Sequence, residues 1–239
     1  MTAPTAPRYL IFNADDFGAS RGVNRGIVDS HRRGVVTSTS FTVTGHAVEE
    51  AVALSRDNPS LAIGLHFDVW GEDERKFDTG DLDATRDEFR RQLDRFIHLL
   101  GRSPTHVDSH RHVHRAPHLW PHFRDWAAPL GVPVRGDDQV RFVGGFYGQW
   151  EWMVTDLEHI SVAALQQMLR NEVAPGVTEF SCHPGYVTDD YHAVYLAERE
   201  TEVATLTDPL IRQTITDLGI HLISYADYAH LPRPAKPGD

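Results

Sequence analysis

Seven short runs of apolar and β-branched residues recur along the chain, each separated from the next by a stretch with helical periodicity. The runs are 9–13, 37–44, 62–67, 105–109, 132–135, 178–182 and 221–224. The segments 21–33, 47–56, 84–100, 118–130, 163–171, 193–205 and 208–218 repeat apolar residues at three- and four-residue spacing, and Gly219 supplies a stop. Strands alternating with helices must pair in parallel, because only a crossover helix returns the chain to the same end of the sheet. For 239 residues this pattern predicts one single-domain (β/α) barrel, TIM-barrel-like, with about seven parallel strands over 8–230. The segments 1–7 and 231–239 are read as flexible tails. No G-x-G-x-x-G follows the first run, which weighs against an open dinucleotide-binding sheet.

Charge and composition narrow the partners. Twenty-three basic against 34 acidic residues give a formal charge of −11 with histidine neutral, which argues against nucleic acid and anionic membranes. No apolar run is long enough to span a bilayer, and "MTAPTAPRYL" lacks the apolar centre of a signal peptide. A single cysteine, Cys182, excludes an internal disulfide and fits a reducing, cytoplasmic setting. Histidine is the outlier: there are 15, and six fall between His106 and His122.

In a β/α barrel the chemistry collects at the C-terminal strand ends, and ligand-type residues recur there. The first run, ending "FNADDFG", is followed by Asp15 and Asp16. The third, "AIGLHFDV", carries His66 and Asp68. The fourth leads into "THVDSHRHVH", the fifth ends "VPVRGDD" with Arg135 and Asp138, and the sixth, "TEFSCHPGY", delivers His183. Two adjacent carboxylates at a buried strand end repel each other unless a cation offsets them. Between His106 and His114 the alternate residues share one strand face. Ser103-Pro104 and Ala116-Pro117 argue for a strand entering a loop, so Asp108 and His110 are expected near the strand end, His112 and His114 in the loop, and a helix from about His118.

Ordinary uses compete with each of these. The two aspartates could cap the next helix, although Ser20 already offers a cap. His66 could be a core histidine, Asp68 a loop starter, and most of the clustered histidines caps or surface residues. Cys182 and His183 are neighbours on a strand and face opposite sides, so an inward His183 leaves Cys182 as a small buried residue rather than a nucleophile. Trp70, Phe146, Tyr147, Trp150 and Trp152 fall in loop-like segments where flat rings suit either a core lid or a sugar face. No Gly-rich phosphate loop, G-x-S-x-G or CxxC is present. What remains is an aspartate and two or more histidines around a cation, with a second carboxylate to spare, which is the make-up of an open catalytic metal site.

Together, "NADDFG", "GLHF", "THVDSHRHVH" and "SCHPGY" resemble, in order and spacing, the motif set of the YdjC/ChbG-type carbohydrate deacetylases, from about Arg8 to Tyr228. The resemblance implies a (β/α) barrel, a divalent metal ion, removal of acetyl groups from N-acetylated sugars of the chitooligosaccharide type, and a homodimer. It implies Asp15 as catalytic base, Asp16, His66 and His110 as metal ligands, His183 as the acid and Arg135 as the residue that orients the base. Arg111 stands where the family often has another histidine, and the loop at about 70–83 is short; both features bear on the substrate. Magnesium follows from the resemblance, while two imidazoles and one carboxylate lean toward zinc. Two other readings compete: a metal-dependent phosphoesterase, which calls for more carboxylates around paired metals, and a non-catalytic sugar-binding protein, which needs no spare carboxylate.

Overall fold

The computed structural model describes residues 6–71, 77–151, 153–190 and 192–231. Trp152, residues 72–76 of the short loop, and the tails 1–5 and 232–239 lie outside them. The chain runs β1 (Arg8–Phe17), α1 (Arg21–Arg33), β2 (Ser38–Phe41), α2 (Val48–Asp57), β3 (Ala62–Phe67), α3 (Leu82–Leu100), β4 (Val107–Ser109) and α4 (Trp120–Ala127). It continues through β5 (Arg141–Val143), a hairpin of β6 (Gln149–Glu151) and β7 (Val154–Thr155), α5 (Val162–Glu172) and β8 (Gly176–Cys182). The last elements are α6 (Ala197–Thr207), α7 (Pro209–Asp217), β9 (Ile220–Leu222) and α8 (Tyr225–Tyr228). No helix among the described residues is long and apolar enough to cross a membrane.

The main sheet is parallel, with strands in the order β4-β3-β2-β1-β8-β5. It corrects the expected barrel: six strands curl through 242° and stop, leaving a half-barrel. Two local causes are visible. β8 covers one edge of β1 from Arg8 to Ala14, so β9, which pairs Arg8–Leu10, shares the other edge with β2. The expected strand 132–135 makes only a bridge from Val134 to Val107, flanked by hydrogen bonds between Val107 N and Pro133 O and between Arg135 N and Val107 O. Pro133 has no N–H to extend a ladder, and the chain turns at once through Gly136, whose φ is +82°. The unforeseen Arg141–Val143 pairs with β8 instead, and Arg135 sits at the seam between the two edges.

Alternation along the strands divides the interior into two environments. Leu10, Phe12, Ala14, Ile63, Leu65, Phe67, Phe180 and Cys182 pack outward into the apolar layer beneath the helices. The opposite parity faces the concave side. At its base a small apolar cluster of Ile11, Ala62, Val140 and Tyr225 closes the barrel floor. Above that floor the concave face is polar: Asn13, Ser40, His106, Asp108, Arg135 and Glu179 are all buried there. This parity confirms that Cys182 is core and that His183, one residue on, faces the cavity.

The helices begin and end where local chemistry allows. Ser20 caps α1 by accepting from Val23 N, Asp81 caps α3, and Asp208 caps α7. Gly101 and Gly219 end α3 and the α7 turn in the left-handed region.

One glycine fixes how deep the polar layer can lie. A Cβ on Gly64 of β3 would stand 2.4 Å from His106 Cε1, and that imidazole is itself stacked on Tyr225 with ring centres 3.9 Å apart. Gly64→Ala is therefore expected to destabilise the fold by about 1–3 kcal/mol, read as a lowered denaturant midpoint with an unchanged slope.

Candidate metal centre and active site

The two adjacent aspartates reach the same cavity because β1 is irregular at its end. Asp15 keeps the inward parity of Ile11 and Asn13. Asp16 should point outward, but the register slips between Ala14 and Phe17 and Asp16 takes φ +72°. A left-handed aspartate at a bulge turns its side chain back inward. Both carboxylates are buried, 2% and 4% exposed.

Asp16 meets two imidazoles. His66 Nε2 from β3 and His110 Nδ1, just beyond β4, each lie 3.4 Å from Asp16 Oδ1. The three donor atoms fall within 4.8 Å of one another. His66 Nε2 is buried without a hydrogen bond of good geometry, while its Nδ1 is 2.7 Å from Asp108 Oδ1. A carboxylate behind an imidazole fixes the tautomer that leaves the other nitrogen free to ligate. The donor set, the orphaned nitrogen and the carboxylate behind it fit a divalent cation. Burial opposes charge on Asp16, but the Arg199 guanidinium and the two imidazoles outweigh it and hold the carboxyl well below its usual range.

Asp15 belongs to a different network. The Arg135 guanidinium grips it twice, Nη1 to Oδ2 at 2.6 Å and Nη2 to Oδ1 at 2.7 Å. The same guanidinium reaches Asp108 Oδ2 at 2.8 Å and Glu179 Oε1 at 2.7 Å. Asp15, His66 and Asp108 also lie close enough to hold an ion, but Arg135 already supplies the positive charge at those carboxylates. Of the two groups found among the described residues, Asp16–His66–His110 is therefore the better candidate for a metal. Against burial, Arg135 keeps the Asp15 carboxyl below its ordinary value. Asn13 Nδ2 also donates to Oδ1, so the unused lone pair lies on Oδ2.

His183 follows β8, which pairs directly with β1. Its Nε2 is 3.9 Å from Asp15 Oδ2. Burial lowers its pKa to about 4, so the ring is neutral at neutral pH. The rings of Tyr147 and Tyr195, parallel at 4.4 Å, abut it edge-on at 5.4 and 5.7 Å. These groups, with Arg111, His112 and Arg199, line a cavity of about 330 Å³.

The remaining sequence candidates separate cleanly. Arg111 and His112 both have φ +52°, so the chain leaves the strand at His110 and the shared parity ends there. His114 is structural, its Nε2 donating to Arg135 O and its Nδ1 accepting from Ser109 Oγ. His118 pairs with Thr79 just before α4, and His122 stacks on Trp126 within it. Asp68 holds the N–H groups of Trp70 and Gly71, and Asp138 is exposed. Phe146 is core, Trp150 is exposed against His159, and among the described members of the expected aromatics only Tyr147 lines the cavity. Arg199, Tyr195 and Glu202 were not foreseen. The signal for Arg199 and Glu202 was the segment "AERETEV", a helix whose inward face is charged where an apolar stripe is expected.

If Asp16, His66 and His110 form the metal centre, Asp16→Asn and His110→Ala should each weaken Mn²⁺ or Zn²⁺ binding at least tenfold by calorimetry, while His118→Ala and His122→Ala leave it unchanged.

Solved structures share this architecture. A protein of Enterococcus faecalis V583, named for a proposed cellobiose-phosphate cleavage, is 26% identical and superposes with a TM-score of 0.79 over 93% of this chain and 99% of its own. A Bacillus cereus polysaccharide deacetylase is 16% identical with a TM-score of 0.59, covering 97% of this chain and 98% of that one. A family 4 carbohydrate esterase from Streptomyces lividans, solved with acetate, is 14% identical with a TM-score of 0.56, covering 90% and 92%. At those lower identities the likeness is one of fold. The model of the YdjC-like protein family matches residues 9–217, and this chain belongs to that family.

Proposed function

We propose that the protein is a metal-dependent hydrolase that removes acetyl groups from small N-acetylated sugars, chitooligosaccharides being the substrate class and a homodimer the assembly. The observation that carries this reading is the divided aspartate pair. Asp16 is turned by the bulge toward two imidazoles, while Asp15, beside it, is locked by Arg135 with one lone pair of Oδ2 facing the cavity. A ligand and a proton acceptor side by side are what amide hydrolysis needs, and a sugar-binding module needs neither. The Enterococcus faecalis protein is likewise named for an action on a sugar, and the Bacillus cereus and Streptomyces lividans proteins for acting on carbohydrates.

A divalent ion held by Asp16, His66 and His110, magnesium by family resemblance or zinc by ligand type, would polarise the acetamide carbonyl and acidify the attacking water. Asp15 Oδ2 takes the proton from that water as the C–O bond forms. Arg135 keeps Asp15 ionised and fixes its direction, so the carboxylate does not turn toward the cation. The C–N bond breaks only when the sugar nitrogen is protonated, because an amide anion is a very poor leaving group. His183 is neutral at rest, takes up the proton released to Asp15 Oδ2, 3.9 Å away, and passes it to the departing amine. Tyr147 and Tyr195 offer flat apolar surface to a pyranose face.

A two-metal phosphoesterase has less support, because the guanidinium of Arg135 fills the second cluster of ligand-type residues.

Acetate and free amine should appear when the protein is incubated with acetylated mono- and disaccharides and Mg²⁺, Mn²⁺, Zn²⁺ or Co²⁺; phosphate released from sugar phosphates in their place would reject the reading. Asp15→Asn should lower kcat by about 10²–10⁴-fold with metal affinity retained. His183→Ala should lose most activity on an N-acetyl sugar yet keep much of it on an activated aryl acetate, whose phenolate leaves without an acid.

A further inference from the structure

Helix α6 contributes no atom to the reaction described above, yet it buries three charged residues: Glu198 at 1%, Arg199 at 3% and Glu202 at 0% exposure. Burying charge on a helix face is costly unless each group is paired. The partners of two of them converge on one residue. Glu202 Oε2 accepts the backbone N–H of His183, and Arg199 Nη1 donates to the carbonyl of His183 at 3.3 Å. The residue is thus held at both of its peptide groups from one helix. Glu202 Oε1 also accepts the Tyr195 hydroxyl, which fixes the ring that abuts the His183 imidazole. Arg199 Nη2 meanwhile grips Asp16 Oδ2 at 2.6 Å. Residues 199 and 202 stand three apart, one turn of the same helix face.

We propose that Glu202 and Arg199 are positioning residues that set the His183 imidazole against Asp15 and Asp16, making proton delivery to the leaving group depend on α6. Glu202 is the sharper of the two, because it touches His183 and Tyr195 and no metal ligand. Its amide isostere cannot reproduce the pattern. Glutamine has one acceptor oxygen: kept on the His183 N–H, it leaves an NH₂ that forces the Tyr195 hydroxyl to turn from donor to acceptor, and reversed, it sets two N–H donors face to face. Glu198 is the internal control: equally buried on the same helix, it bonds Gln149, Thr155 and the Leu196 N–H, away from His183.

The role assigned to His183 rests on the deacetylase reading; the geometry that holds it does not. The test compares Glu202→Gln and Glu198→Gln by two readouts. The first is the ratio of kcat/KM on an N-acetyl sugar to that on 4-nitrophenyl acetate. The second is the His183 ring C–H signal by NMR, assigned by its loss in His183→Ala. Glu202→Gln should lower the ratio at least tenfold, move or broaden the His183 signal, and leave divalent-ion affinity within about twofold. Glu198→Gln should leave both the ratio and the signal unchanged, whatever its effect on Tm. An unmoved His183 signal in Glu202→Gln overturns the proposal, as does an equal loss of activity on both substrates. If the unaltered protein cleaves neither substrate, the deacetylase reading fails by itself, and the NMR comparison alone still decides whether Glu202 positions His183.

Discussion

The guanidinium of Arg135 is the interaction on which the rest of the site depends. It is fully buried and contacts three carboxylates, from β1, β4 and β8. A buried charge of this kind is tolerated only with its partners in place, and removing one partner of such a group costs about 3–5 kcal/mol. The consequence is architectural. An open half-barrel has no ladder across its gap, and Arg135, at the seam between β4 and β5, ties the interior together electrostatically where backbone pairing stops. Tyr225 adds its hydroxyl to Glu179 from the far end of the chain, linking the network to the barrel floor.

That clamp also divides labour among the acidic groups. Four buried carboxylates, Asp15, Asp16, Asp108 and Glu179, face two guanidinium groups, Arg135 and Arg199. Arg135 holds Asp15 and steadies Asp108, and Asp108 in turn orients His66. Arg199 takes Asp16 Oδ2 and leaves Oδ1 facing the two imidazoles of His66 and His110. Positive charge is wanted there, and a divalent ion supplies it with the two imidazoles neutral. The left-handed turn at Asp16 is where the backbone carries strain for this purpose: a regular strand would have sent the side chain into the apolar layer.

Much of this was legible in the sequence, for a physical reason. Parity along short strands decides which side chains share a face, so His183 could be placed inward and Cys182 outward, while Asp15, His66 and Arg135 stood out as ligand-type residues at the expected strand ends. α1 could be bounded at both ends from its spacing and Ser20. What escaped is what parity does not encode. The bulge that turns Asp16 inward and the left-handed pair Arg111–His112 are backbone departures with no glycine to announce them. The fate of 132–135 turned on the neighbours of Pro133 and Gly136, which local hydrophobicity does not report. The α6 pair Arg199 and Glu202 lay in a helix read only for its apolar positions, and the residue they share, His183, is 16 and 19 positions earlier. Closure of the barrel was over-read, because counting strands says nothing about which edge of β1 the last one takes.

The central claim is that the cation and the proton acceptor occupy neighbouring but distinct places on the two aspartates. Anomalous scattering from a crystal soaked with Mn²⁺ locates the ion directly. The account predicts one peak at coordination distance from Asp16, His66 Nε2 and His110 Nδ1, with Asp15 still held by Arg135. A peak between Asp15, Asp108 and His66 Nδ1, with Arg135 displaced, would contradict it.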